Sequence, residues 1–117
     1  MAYIDGFILP LSKGEIDSYF AAAQAMALIW KEYGALSVVE ALEDDAPYGT
    51  ITSFPRAVQR QEGEVVVYSY ITYPDRATRN AVSKKVMSDP RIAKIMEGSG
   101  IDGKRMIWGG FEVRVSE

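Results

Sequence analysis

The chain contains no cysteine and no histidine. Without cysteine there is no disulfide, thiolate nucleophile, iron–sulfur cluster or cysteine-based zinc site, and thiol usage says nothing of the redox compartment. The missing histidine is the stronger restriction, because it excludes a Ser-His-Asp triad, a His-ligated haem and the 2-His-1-carboxylate iron centre. Proton transfer falls to carboxylates, tyrosine, lysine, the chain terminus or the substrate itself. No segment approaches the roughly 20 uninterrupted apolar residues of a membrane span. The start, Met1-Ala2-Tyr3-Ile4-Asp5, has neither a basic head nor a signal-like apolar block. The expectation is a cytoplasmic protein with no membrane partner. A net charge of −3, a pI near 5.0 and dispersed basic residues argue against a nucleic-acid partner.

What is present is ordinary for a globular protein: 117 residues, 48% hydrophobic and 25% charged. That length predicts one domain over 1–117, burying roughly two-thirds of the surface its unfolded chain exposes. Four stretches read as strands: Tyr3 to Leu9, closed by Pro10, then Leu36 to Leu42, Val65 to Tyr73 and Met106 to Val113. Ser12-Lys13-Gly14-Glu15 has the spacing of a capping box. It precedes a helix whose Ile16, Tyr19, Phe20, Ala23, Met26, Ala27 and Trp30 form one apolar face as far as Gly34. A second helix follows Pro74-Asp75, and a short third starts at the cap Asp89 with Pro90 in its first turn. Residues 51–58 read as an edge strand or as a helical turn interrupted by Pro55. Gly109-Gly110 suggest a bulge or the close approach of another backbone.

The order βαβ followed by βαβ is the split motif of an α+β, ferredoxin-like βαββαβ protomer with an antiparallel sheet. All four strands are apolar on both faces, yet only two substantial helices are available to cover them. A sheet shielded on one side needs a single apolar row per strand, so the second row calls for a second layer, and another copy of the chain supplies it.

Several segments resemble a known family: Tyr3-Ile4-Asp5-Gly6-Phe7, Tyr33-Gly34-Ala35-Leu36, Phe54-Pro55-Arg56-Ala57-Val58, Met87-Ser88-Asp89-Pro90-Arg91, and above all Asp102-Gly103-Lys104-Arg105-Met106-Ile107-Trp108-Gly109-Gly110-Phe111. Together they are similar to the small bacterial proteins grouped as DUF1428, the YbaA-like family. The resemblance implies a dimeric α+β barrel, in which two ferredoxin-like protomers pack sheet against sheet, and it implies no established activity. Relatives in that superfamily include cofactor-independent monooxygenases, haem-degrading enzymes, isomerases and regulatory ligand-binding domains.

Three constellations bear on function. Asp5 and Glu40 are carboxylates within apolar strands. Burial would raise their pKa and suit them to acid–base work; alternatively each pairs with Arg56 or Arg105 and locks the sheet. Tyr68, Tyr70, Trp108 and Phe111 either line a concave site for a planar ligand or fill a core and dimer contact. The run Glu40, Glu43, Asp44 and Asp45 lacks the loop spacing of a divalent-metal site and reads as a solvated acidic loop. From these, a small molecule in the cleft between sheet and helices is expected to meet Glu40, Arg56, Tyr70, Arg105 and Trp108, with no metal and no cofactor required. The other reading is a non-catalytic dimeric module that engages a protein through the loop from Glu43 to Tyr48.

Overall fold

The computed structural model describes residues 2–117. Four strands, β1 (Tyr3–Ser12), β2 (Ser37–Leu42), β3 (Glu64–Tyr73) and β4 (Ile107–Glu112), form one antiparallel sheet in the order β2-β3-β1-β4. Helix α1 (Ile16–Glu32) connects β1 to β2, and α3 (Arg76–Met87) with α4 (Pro90–Glu97) connects β3 to β4. This is the expected ferredoxin-like α+β order, with a four-residue helix α2 (Phe54–Ala57) added before β3.

The two long central strands set the layers. They pair without a break from Tyr3 opposite Tyr73 to Ser12 opposite Glu64. Residues directly opposite share a face and successive residues alternate, so every side chain is assigned. The inner row, under the helices, carries Tyr3, Asp5, Phe7, Leu9 and Leu11 on β1 and Val65, Val67, Ser69, Ile71 and Tyr73 on β3. The helices close over it in two clusters. Tyr3, Ile71 and Tyr73 meet Ile29 of α1, Val82 and Val86 of α3 and Ile92 of α4. Leu9, Leu11 and Val67 meet Tyr19 and Ala23 of α1.

Helix α1 owes its tight seat to alanine, with Ala22 and Ala23 buried against the sheet. It stops at Gly34, whose φ of 122° lies in the left-handed region, where Val82 Cγ2 would stand 3.3 Å from any added Cβ. The later helices start as their sequences require: Asp75 accepts from Thr78 N at 2.7 Å and Asp89 from Arg91 N at 2.9 Å.

Three local expectations are corrected, and the open choice at residues 51–58 falls to the helical turn. Strand β1 does not end at Pro10 but runs to Ser12. Pro10 faces Val66 in a non-hydrogen-bonded pair, three positions from the Lys13 N to Gly63 O bond, and β4 stops pairing at Ile8. No ladder partner needs the amide that proline lacks. The capping box does not form: Lys13–Glu15 is a 3-10 turn, Ser12 makes no capping bond, and Ser18 Oγ donates to Glu15 instead. Residues 54–57 are helical, with Pro55 in the first turn, where its missing amide costs nothing, and Ser53 accepts from Arg56 N at 3.0 Å. Finally, β4 pairs with β1 without a bulge. The close approach at Gly110 is by side chains, the Tyr3 hydroxyl and the Arg79 guanidinium occupying the space of a Cβ.

The outer row is the apolar surplus. Ile4 and Ile8 of β1, Tyr68 and Tyr70 of β3, Val39 of β2 and Ile107 and Phe111 of β4 lie on the side away from α1 and α3. The chain hides one end of it itself: α2 lies against β3, Phe54 stands edge-on to Tyr68 at 5.8 Å, and the outer residues Pro10 and Val66 are buried. The remainder is open, with Tyr68, Ile107 and Phe111 between 42% and 62% exposed.

Leu11 is fully buried on the inner row between β1 and α1. Leu11→Ala is expected to lower the unfolding free energy by about 3 kcal/mol through lost burial and a residual cavity. Urea unfolding with an unchanged m-value checks it.

Candidate functional site

Two carboxylates sit on the inner face, and each is held by a tyrosine rather than by Arg56 or Arg105. Asp5 accepts from Tyr73 Oη at 3.0 Å, with Arg79 Nε of α3 3.3 Å from its other oxygen. Glu40 accepts from Tyr19 Oη of α1 at 2.5 Å. Burial is the main cause that raises the carboxyl pKa in both, and the hydrogen bonds pull it partly back. The tyrosine hydroxyls are pushed up in turn, first by burial and then by the adjacent negative charge.

Register explains the spacing. One inner row reads across the sheet as Glu40, Ser69, Phe7 and Trp108; the next reads Val38, Ile71, Asp5 and Gly110. Ser69 is 4% exposed and stands directly opposite Glu40 on the neighbouring strand. It also falls between the two apolar clusters, so the row of Glu40 divides the core.

Beside Glu40 the surface opens. A groove of about 430 Å³ runs between α1 and the edge strand β2, with Phe20, Ala23, Ala27 and Val38 as its apolar lining, Glu40 as its carboxylate and Lys31 as its cation. Its lining is mixed, apolar side chains alternating with Gln24, Lys31 and Glu40, so an occupant would need polar groups as well as an apolar body.

The five residues expected to line one cleft do not converge. Glu40 and Trp108 share the inner row but stand at opposite edges, three strand spacings or about 14 Å apart. Tyr70 lies on the outer face, opposite Gly6. Arg56 is occupied by the loop before α2, donating to Tyr48 O at 2.9 Å and Gly49 O at 3.0 Å while its guanidinium stacks 4.0 Å from the Tyr48 ring. Arg105 is engaged through four of its five N–H groups: it grips Glu64 with two bonds of 2.8 and 2.7 Å and also binds Asp102 and the carbonyl of Gln59. Both acids are held below the usual carboxylate range by that guanidinium. The aromatic set is split likewise, with Tyr68, Tyr70 and Phe111 outside and Trp108 inside. In the acidic run, Glu43 pairs with Arg60 and accepts from Val66 N at 2.8 Å. Tyr19, Tyr73 and Arg79 are the polar partners the residue pattern concealed, since tyrosines at helical or strand spacing read as core and Arg79 as solvated helix surface.

The family described as "Protein of unknown function (DUF1428)" matches residues 2–103. The chain belongs to the DUF1428 family. It is 44% identical to the uncharacterized protein YbaA of Escherichia coli strain K12 over 117 residues, all of both chains. Among solved structures, this DUF1428 chain is similar in fold to a variant of SnoaB, a cofactor-independent oxygenase from Streptomyces nogalater, at a TM-score of 0.62 and 8% identity, covering 98% of this chain and 95% of that one. It is similar also to a dimeric ferredoxin-like protein from an uncultured marine organism, at 0.60 and 11% identity with complete coverage of both. At such identities the likeness is one of fold. Among the described residues of this DUF1428 protein, no helix is long and apolar enough to cross a membrane.

The burial of Glu40 gives a signed expectation for pH. Its pKa in the folded protein is raised, so the ionised form is penalised by folding and the stability of the parent falls, relative to a neutral isostere, as pH rises above the ordinary glutamate value of about 4.3. Glu40→Gln keeps an acceptor for Tyr19 without the charge. It is expected to match the parent in thermal unfolding below that pH and to be the more stable at pH 8. A deficit in Glu40→Gln that is the same at pH 3.5 and pH 8 would show that ionisation of Glu40 carries no penalty, and one that widens at pH 8 would show that the charge is stabilising; either overturns the expectation.

Proposed function

We propose that the DUF1428 protein is a cytoplasmic homodimer, one domain over 1–117 in each copy, that binds a small molecule in the groove between α1 and β2. The observation that carries the ligand reading is the half-buried Glu40 carboxylate, held by Tyr19 and facing a groove of about 430 Å³ with a mixed polar and apolar lining. A carboxylate partly withdrawn from water and still offering acceptor capacity suits a ligand with an N–H or O–H donor and an apolar body; Lys31 suits a negative group at its other end. Glu40 is also the group best placed to exchange a proton with such a ligand, in a chain that has no histidine.

Two copies would pair through the outer rows, which carry Tyr68, Ile107 and Phe111 in the open. Burying several hundred Å² of such surface at about 25 cal/mol per Å² contributes many kcal/mol before the cost of association. The dimeric ferredoxin-like neighbour supports this pairing. It leaves the groove free, because Glu40 lies on the opposite face of the sheet from Phe111.

The groove is tested by a thermal-shift screen of small metabolites against the parent and Ala27→Phe, which fills the groove from α1. At a concentration of 100 Kd a bound compound adds about 2.7 kcal/mol to stability. Compounds that raise the parent's Tm and lose that effect in Ala27→Phe are expected; a library with no such compound overturns the reading. The pairing is tested by sedimentation at micromolar concentration. The parent is expected as a dimer and Phe111→Asp as a folded monomer, since Phe111 is 62% exposed in one copy. A monomeric parent would refute it.

A further inference from the structure

Among the described residues, Arg79 is the one guanidinium buried under the helices beside a carboxylate, and its hydrogen bonds are incomplete. Nη2 donates to Tyr3 Oη at 3.0 Å, and Nε lies 3.3 Å from Asp5 Oδ1 without the alignment of a hydrogen bond. Nη1 has no acceptor among the described residues. Arginine has five N–H donors, and in this side chain, 18% exposed, only Nε is both buried and unpaired, so Nη1 is open to water and to an acceptor on a ligand.

Its surroundings point to one. The guanidinium rests on β4 where Gly110 leaves out a Cβ. Two residues along the same face, about 7 Å away, stands Trp108. It is 64% exposed although it shares the inner row with the half-buried Phe7. An exposed indole beside a sheltered fork of unmade donors is a flat apolar wall next to an anion receptor. Glu112, on the other side of Gly110, is the opposing charge, drawn 4.0 Å from Arg114.

We infer that the inner face of β4 is a second binding site, for a planar aromatic carboxylate whose ring stacks on Trp108 and whose carboxylate accepts from Nη1 and the remaining N–H of Nη2 of Arg79. The glycine at 110 gives the guanidinium its seat, and Asp5 and Tyr3 fix its plane from beneath. This site stands at the edge opposite the Glu40 groove and does not depend on it.

The chain has two tryptophans, so its indole N–H signals in a ¹H–¹⁵N spectrum are two, and Trp30→Phe assigns them. The probes are 2-naphthoate and its neutral counterpart 2-naphthylmethanol. The expected result is a saturable shift of the Trp108 indole signal by 2-naphthoate, with the neutral compound about tenfold weaker or worse, equivalent to one lost charged hydrogen bond. Trp108→Ala, at an exposed position, is expected to abolish binding while the rest of the spectrum is retained. Arg79→Lys keeps the charge beside Asp5 but loses the fork, and is expected to weaken binding about tenfold. Glu112→Gln should tighten it. Ala27→Phe should leave it unchanged, which separates this site from the groove. No saturation up to the solubility of the probe, equal binding of the neutral compound, or binding that survives Trp108→Ala would each overturn the inference.

Discussion

The unbroken ten-residue register between β1 and β3 is the constraint on which the remaining structure depends. Strand side chains have a period of two, so a slip by one residue would turn Asp5 outward and bring Ile4 and Ile8 beneath the helices. The pairing therefore fixes two properties together: which apolar residues form the core, and on which side the carboxylates are buried. The strands carry apolar residues on both faces, and composition alone would tolerate either register. What decides is shape. The inner row offers Leu9, Leu11, Val67 and Ile71 to an alanine-rich helix that can approach closely, while the outer row offers the broad rings of Tyr68 and Tyr70. Close packing rewards the first arrangement and leaves the rings outside.

Polar groups are admitted into that core only with partners. Asp5 sits with Tyr73 and Arg79, Glu40 with Tyr19, and in each case the hydroxyl comes from a residue whose ring is already packed. A tyrosine can satisfy a buried carboxylate without bringing a second charge, which avoids part of the desolvation cost of an ion pair. Three acids that accept hydrogen bonds from arginine are treated differently. Glu64 and Asp102 are tied by Arg105, and Asp89 by Arg91, and all three are held below the usual carboxylate range. The two kinds of carboxylate oppose one another in pH dependence. The arginine-bound acids favour the folded state once ionised, whereas Asp5 and Glu40 favour it when protonated.

Much of the architecture was legible in the residues. The strand and helix positions follow from β-branched runs, apolar spacing and the caps Asp75 and Asp89, all local signals that agree with the fold. The surplus of apolar strand surface was legible too, and the outer row displays it. Other features were hidden for identifiable reasons. Pro10 reads as a stop, and only the length of β4 shows that its amide was never needed. Ser12 and Glu15 have capping-box spacing, but the strand occupies Ser12 and leaves the helix to begin only at Ile16. The site residues were least legible. Glu40 was visible as a charge in an apolar strand, yet its partner Tyr19 lies 21 residues away on a helix face, and nothing in either letter announces the pairing. Arg56 and Arg105 looked free because their acceptors are backbone carbonyls and acids from other segments.

The two faces of the sheet divide the work, and the division follows from the edges. On the inner side, the helices reach across β1 and β3 but leave both edge strands partly open, so the accessible chemistry collects at β2, beside Glu40, and at β4, beside Trp108 and Gly110. Each opening has a half-buried polar group at its wall, Glu40 on buried Tyr19 at one edge and Arg79 on buried Asp5 at the other. The fold is shared with proteins only 8–12% identical. Chemistry in such a scaffold is therefore set by which side chains fall at the two ends of an inner row, and here those are a protected carboxylate and an exposed indole.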